Sequence, residues 1–124
     1  MRTHRELDVW KASIRFVKEI YKYTSGFPRH EFYGLASQMR RAAVSIPANI
    51  SEGAARRSSR EFRQFLGISY GSLAELETLL IIAKDLEYLG ESENLLLTGQ
   101  IRMITSQLSG LIHSIDKKVQ MQNI

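Results

Sequence analysis

The chain has 124 residues, a net charge of +4 at pH 7, 44% hydrophobic residues, two prolines and no cysteine. That length supports one domain around one core, and the composition excludes a disordered or collagen-like chain. The lack of cysteine excludes disulfide staples and thiolate catalysis and suits a reducing cytoplasm. The start, MRTHRELDVW, has no apolar core of a signal peptide. The longest purely apolar run, Leu79 to Ala83, is too short to cross a bilayer, so a soluble cytoplasmic protein with no membrane partner is expected. Charge is unevenly placed: residues 1–60 hold 12 Lys/Arg against 5 Asp/Glu, and residues 61–124 hold 5 against 8. A basic first half points to a polyanionic partner, or equally to solubility or complementary packing between subunits.

The first helix is predicted over roughly 8–25, with Asp8 as N-cap, Ser25-Gly26 as the stop and Pro28 beyond it. Trp10, Ile14, Val17, Tyr21 and Thr24 form its apolar stripe, widened by Val9, Phe16, Ile20 and Tyr23. Lys11, Arg15, Lys18 and Lys22 recur at i, i+4, i+7 and i+11 on another face. That row reads as a solvated face or as a phosphate-contacting ridge, since phosphate binding needs only a row of cations. A connector, Phe27 to Tyr33, leads into a second helix over about 33–54.

In that helix Leu35, Met39, Ala42, Ile46, Asn49 and Gly53 keep the 4-3-4-3 spacing of a helix–helix seam. Asn49 places an amide in the seam, where it must find partners. Pro47 removes one backbone N–H and frees the carbonyl of Ala43, so a bend is expected. Val44 is apolar on the far face and is a candidate interface residue between subunits.

Ser58-x-x-Glu61 is a capping box that opens a third helix, predicted over 58–89 and closed by Gly90. Phe62, Phe65, Leu66, Leu73, Leu76, Leu80 and Ala83 share one side of it. Gly67, Gly71, Ala74 and Thr78 form a stripe of small residues on the other. Gly67 and Gly71 each weaken an isolated helix by about 1 kcal/mol relative to Ala, so close approach of another subunit is the expected reason for them. The fourth helix is predicted over 91–119, with Leu97, Ile101, Ile104, Leu108, Leu111 and Ile115 as its seam. The fold class is therefore all-α, an antiparallel up-down-up-down four-helix bundle in a single domain, 1–124.

Little in the chain points to catalysis. Gly67-Ile-Ser-Tyr-Gly71 matches the nucleophile elbow but lies mid-helix, without the strand the elbow requires. Ser114-x-x-Lys117 lacks its companion motifs, and Asn49-Ile-Ser51 is a glycosylation sequon without a secretory route. His4, His30 and His113 stand in no ligand spacing, so neither a metal nor a cofactor is expected. Glu52 and Glu75 are candidate buried acids; the plainer reading pairs Glu52 with an arginine and lets Glu75 bridge helices. What remains is the arginine set: Arg40 and Arg41 on the second helix, and Arg56, Arg57, Arg60 and Arg63 around the next turn. Their guanidinium groups suit phosphate, and no stacking row of aromatics accompanies them in the sequence. For Arg40, Arg41 and Arg56 the competing reading is ion pairing with Glu52, Glu75 or Glu77.

The string QMRRAAVSIPANISEG from Gln38 to Gly53, with YGL before it and EF…GS…ELE after it, resembles the four-helix-bundle family named for proteins encoded within 23S rRNA intervening sequences. The likeness extends from Val9-Trp10 through Phe27-Pro28 to about Leu89. It implies a homopentameric ring of bundles. It also brings in related bundles that serve diversity-generating retroelements, where they bind nucleic acid and a reverse transcriptase. The combined expectation is a non-enzymatic homo-oligomer with low-specificity RNA or DNA binding through its basic half. The alternative is a protein-interaction scaffold whose arginines hold subunits together.

Overall fold

The computed structural model describes residues 3–122. Four helices, α1 (Asp8–Thr24), α2 (Leu35–Ala54), α3 (Ser59–Asp85) and α4 (Glu91–Gln122), carry the chain, with short 3-10 turns at His4–Glu6 and Arg29–Glu31. No strand occurs among the described residues. α2 packs on α1 and α3, and α4 on α3 and α1, while the diagonal pairs stay apart. Early residues of one helix meet late residues of the next: Trp10 Nε1 donates to Ser51 Oγ at 2.8 Å, Arg40 Nε to Thr24 Oγ1 at 2.9 Å, and Arg63 Nε to Asp116 Oδ1 at 2.8 Å.

The core follows the expected seams with one exception. On α2, Leu35, Met39, Ala42, Ile46 and Gly53 are buried and Asn49 is half-buried; Ala36, Ala43, Pro47 and Ile50 bury a second flank. The two-sided apolar demand of α2 is thus met by α1 and α3 of the same chain. On α4 the whole seam is buried except Leu111, which is half-buried. On α1 the inner face is Val9, Ala12, Phe16 and Ile20, not the stripe headed by Trp10. Trp10, Ile14 and Val17 sit at its margin and Tyr21 is exposed. The physical reason is the polar edge of the tryptophan: its N–H keeps a partner at Ser51, which a central position would deny it.

Pro47 lies within α2 and leaves the Ala43 carbonyl without its helical donor. Around it, three carbonyls accept side-chain donors: Ser45 from Asn49 at 2.8 Å, Ile46 from Ser69 at 2.9 Å and Pro47 from Ser51 at 2.9 Å. Asn49 also donates to Ser45 Oγ at 2.9 Å, so its seam amide is satisfied within its own helix. At Gly53 the backbones of α2 and α3 approach tightly. A Cβ there would lie 2.7 Å from Phe65 Cβ and 3.3 Å from the Phe62 carbonyl, so glycine is required by space.

Helix ends differ from expectation in three places. Leu7, not Asp8, is the N-cap of α1, and no side chain caps it. α2 starts at Leu35, where the Glu31 carboxylate accepts the Leu35 N–H at 3.2 Å from outside the helix. α3 stops at Asp85, short of the predicted 89. Glu87 takes φ 64°, the Tyr88 N–H reaches back to the Ala83 carbonyl at 2.9 Å, and the Glu87 N–H to Lys84 at 2.9 Å. This is a left-handed helix stop built without glycine. The Ser58 cap stands as predicted, its hydroxyl accepting the Glu61 N–H at 3.1 Å.

By length and composition α3 is apolar enough to cross a membrane, a property the count of consecutive apolar residues missed. Core helices of bundles pass the same test, and Leu66, Leu73, Leu76 and Leu80 are in this core.

Candidate nucleic-acid interface

The cations of the first half are sorted by the fold into three groups. Lys11, Arg15, Lys18 and Lys22 all lie exposed along α1, opposite its buried face. At 1.5 Å per residue the row extends about 16 Å. No carboxylate lies within ion-pairing distance of the four among the described residues. Lys22 rests its ammonium over the Tyr23 ring at 5.4 Å.

The second group surrounds the α2–α3 turn. Arg56, Arg57 and Arg60 are exposed there. Arg56 pairs with Glu52 at 3.1 Å and lies 4.9 Å over the Phe65 ring, which is the arginine pairing expected of Glu52. Glu52 itself is exposed, as is Glu75, so neither is the buried acid that the sequence suggested. Both sit on outward faces where a carboxylate stays hydrated. Arg63, read as a phosphate ligand, is half-buried and held by Asp116 of α4. Arg41 is exposed and lines a polar cleft of about 390 Å³ between α2 and α3, with Gln38, Ser45, Ser72 and Glu75.

The third group lies at the opposite end, around the α1–α2 connector. Arg40 is tied inward rather than presented: Nε donates to Thr24, and Nη2 donates to Ser25 Oγ at 3.2 Å and to the Tyr21 carbonyl at 3.4 Å. Its guanidinium lies 4.6 Å over the Tyr21 ring and 5.9 Å from the Phe32 ring. With Phe27, Pro28, Arg29, Phe32 and Tyr33 it lines a cavity of about 570 Å³. Phe32 and Tyr33 meet edge to face at 4.9 Å, and Tyr33 is 91% exposed. The sequence treated this segment as a plain connector; the signal available was the density of aromatic residues beside Arg29.

Beside that cavity, Glu31 links the α1–α2 connector to the α3–α4 connector. Its carboxylate accepts from Tyr88 Oη at 3.0 Å, and His30 Nε2 lies 3.4 Å from the same hydroxyl. The Leu35 amide first, then the Tyr88 hydroxyl, hold the Glu31 carboxyl below its ordinary value, and the bond to Glu31 raises the Tyr88 phenol.

Of the remaining candidates, Ser69 resolves as packing. Ser69 of the elbow-like motif is fully buried mid-helix and donates to Ile46. Gly67 is half-buried and Gly71 exposed; a Cβ on Gly71 would meet nothing within 4 Å, so no segment of this chain uses the gap. Val44 is 42% exposed. Ile68, Ile81, Ile82 and Leu86 of α3 and Leu95, Leu96 and Met103 of α4 are exposed as well. Among the described residues no three His, Cys, Asp or Glu side chains gather in a metal-holding group.

Fold and surface together define an all-α, four-helix protein with a cationic flank and an apolar flank. The chain belongs to the 23S rRNA-intervening sequence protein family, whose profile matches residues 5–110. Among solved structures it is similar to a protein of unknown function from the S23 ribosomal protein family of Bacteroides thetaiotaomicron. The two share 24% identity with a TM-score of 0.78, over 85% of this chain and 95% of that one. That likeness carries the fold. No curated protein matches the chain.

Proposed function

We propose that this protein is a non-enzymatic, cytoplasmic up-down-up-down bundle that assembles with copies of itself and binds RNA or DNA with little sequence preference. The observation that carries the binding is the exposed row of Lys11, Arg15, Lys18 and Lys22, which forms no ion pair among the described residues. Such a row neutralises phosphates by counterion release and reads no bases. Arg57 and Arg41, both exposed, extend the cationic surface. Assembly draws support from the apolar residues left outside on α3 and α4, since a contiguous apolar surface marks an interface. The open space at Gly71 admits another backbone there. A ring of five, and a reverse transcriptase as a partner, are what the family resemblance adds.

The test is a titration of labelled structured RNA and duplex DNA at several salt concentrations, with light scattering on the same sample. Binding is expected to weaken steeply with salt, and replacing all four α1 cations by alanine to lower the log–log slope by about 3 to 4. An unchanged slope sinks the reading. The second reading, a protein-interaction scaffold, rests on the same exposed apolar residues. Ile81→Ser with Leu86→Ser should shrink the scattering mass while leaving helicity intact, whichever of the two holds. Nucleic-acid binding absent even at low salt, with a clean oligomer, favours the scaffold.

A further inference from the structure

The cavity at the α1–α2 connector differs in chemistry from the α1 row. It joins two guanidinium groups to three aromatic rings, the buried Phe27 and two left outside, Tyr33 at 91% and Phe32 at 54% exposure. Rings so placed gain nothing from the core, and an aromatic face left in water is a platform awaiting a partner. Arg40 is fixed beforehand. Three of its N–H groups are engaged by Thr24, Ser25 and Tyr21, and its plane is held over the Tyr21 ring. Among the described residues, its Nη1 group keeps both N–H bonds without a partner. A guanidinium with one edge locked and the other open is prepared for an anion.

We propose that this cavity receives an unpaired nucleotide of a nucleic-acid strand, its base stacked on Tyr33 with its edge toward Phe32 and its phosphate on Arg29 and the open edge of Arg40. This rests on the binding proposed above and adds a preference for single-stranded segments. No carboxylate lines the cavity, whose volume of about 570 Å³ falls within the range of ligand sites. The ligand that complements it is therefore planar, aromatic and anionic at once. A protein partner would have to supply the ring and the charge from separate residues, whereas a nucleotide carries both in one unit. Lys18 and Lys22, exposed on the last turns of α1 beside Tyr21, continue the strand's path toward the α1 row. A paired base has no free face to offer, so the site selects overhangs, loops and bulges.

The test uses the full chain and two labelled probes of equal phosphate number, a blunt duplex and a single-stranded oligothymidylate, at one salt concentration. The single strand is expected to bind about tenfold tighter. Tyr33→Ala removes that difference, Tyr33→Trp retains it, and circular dichroism checks that both variants keep their helices. Equal affinity for the two probes, or a preference that survives Tyr33→Ala, overturns the inference while leaving cationic binding intact. Failure of both probes at low salt overturns the inference together with the reading it rests on. Addition of thymidine 5′-monophosphate should shift the backbone amide signals of Gly34 and Ala36. Shifts at those amides with a tyrosine-rich acidic peptide and none with the nucleotide would assign the cavity to a protein partner.

Discussion

The two halves of this molecule finish their surfaces differently. α1 and α2 are joined by polar bonds, Trp10 to Ser51 at one end and Arg40 to Thr24 and Ser25 at the other, and they meet water with cations. α3 and α4 share an apolar seam and one ion pair, Arg63 to Asp116, and they leave isoleucines and leucines outside. The first half leaves aromatic rings outside at its connector, and the second leaves aliphatic side chains outside along its helices. A charge asymmetry read as one property of the chain therefore accompanies a second difference, exposed cations along α1 and exposed aliphatic residues on α3 and α4.

The comparison breaks most severely at the core both halves share. Phe16→Ala removes a fully buried ring from the α1 side and should cost about 3–5 kcal/mol in denaturant unfolding. A cost under about 1 kcal/mol would mean that α1 is only loosely docked. Next comes the boundary between the halves: Gly53→Val must push α2 from α3 and should cost about 1–3 kcal/mol. Gly71→Ala, on the open face, should instead stabilise the single chain by about 1 kcal/mol. If it also lowers the scattering mass, that face is covered by a copy. Glu87→Gly relieves a left-handed residue and acts on the second half alone, with an expected gain of about 1 kcal/mol in thermal unfolding.

The smallest effect is at a polar link between the halves at their connectors, Glu31 to Tyr88. The folded carboxyl titrates below its ordinary 4.5, so its contribution is present above that value and fades as pH falls through the folded one. The phenol titrates above its ordinary 10.0, so its share is present below that and fades as pH rises through the folded value. Glu31→Gln should flatten the acid limb of a stability–pH curve; an unchanged limb would place acid sensitivity elsewhere.

Much of this was legible in the sequence. The seams of α2 and α4 kept helical spacing, and the Ser58 box announced its helix start. The end of α3 was not legible, because Tyr88 and Leu89 stay apolar at helical spacing and a left-handed glutamate leaves no mark in composition. The fate of Arg40 and Arg63 was hidden for another reason. Their partners lie 16 and 53 residues away in sequence, beyond any local pattern. Phe32 and Tyr33 stand in a connector, where no period tells which way a ring turns. Periodicity reports on what packs inward; it is silent on what a loop holds outward.

The tight approach at Gly53 has a mechanical consequence. It clamps α2 to α3 at the end that bears the Arg56–Arg57 turn, 18 residues and about 27 Å from the start of α2 at Leu35. With a fulcrum so near one end, small changes in the crossing angle barely move the arginine turn and are magnified at the connector, where Tyr33 sits. Amide exchange should therefore be slower beside Gly53 than at the first turn of α2. The spacing of α2 and α3 is thus set at the arginine turn, by a residue with no side chain.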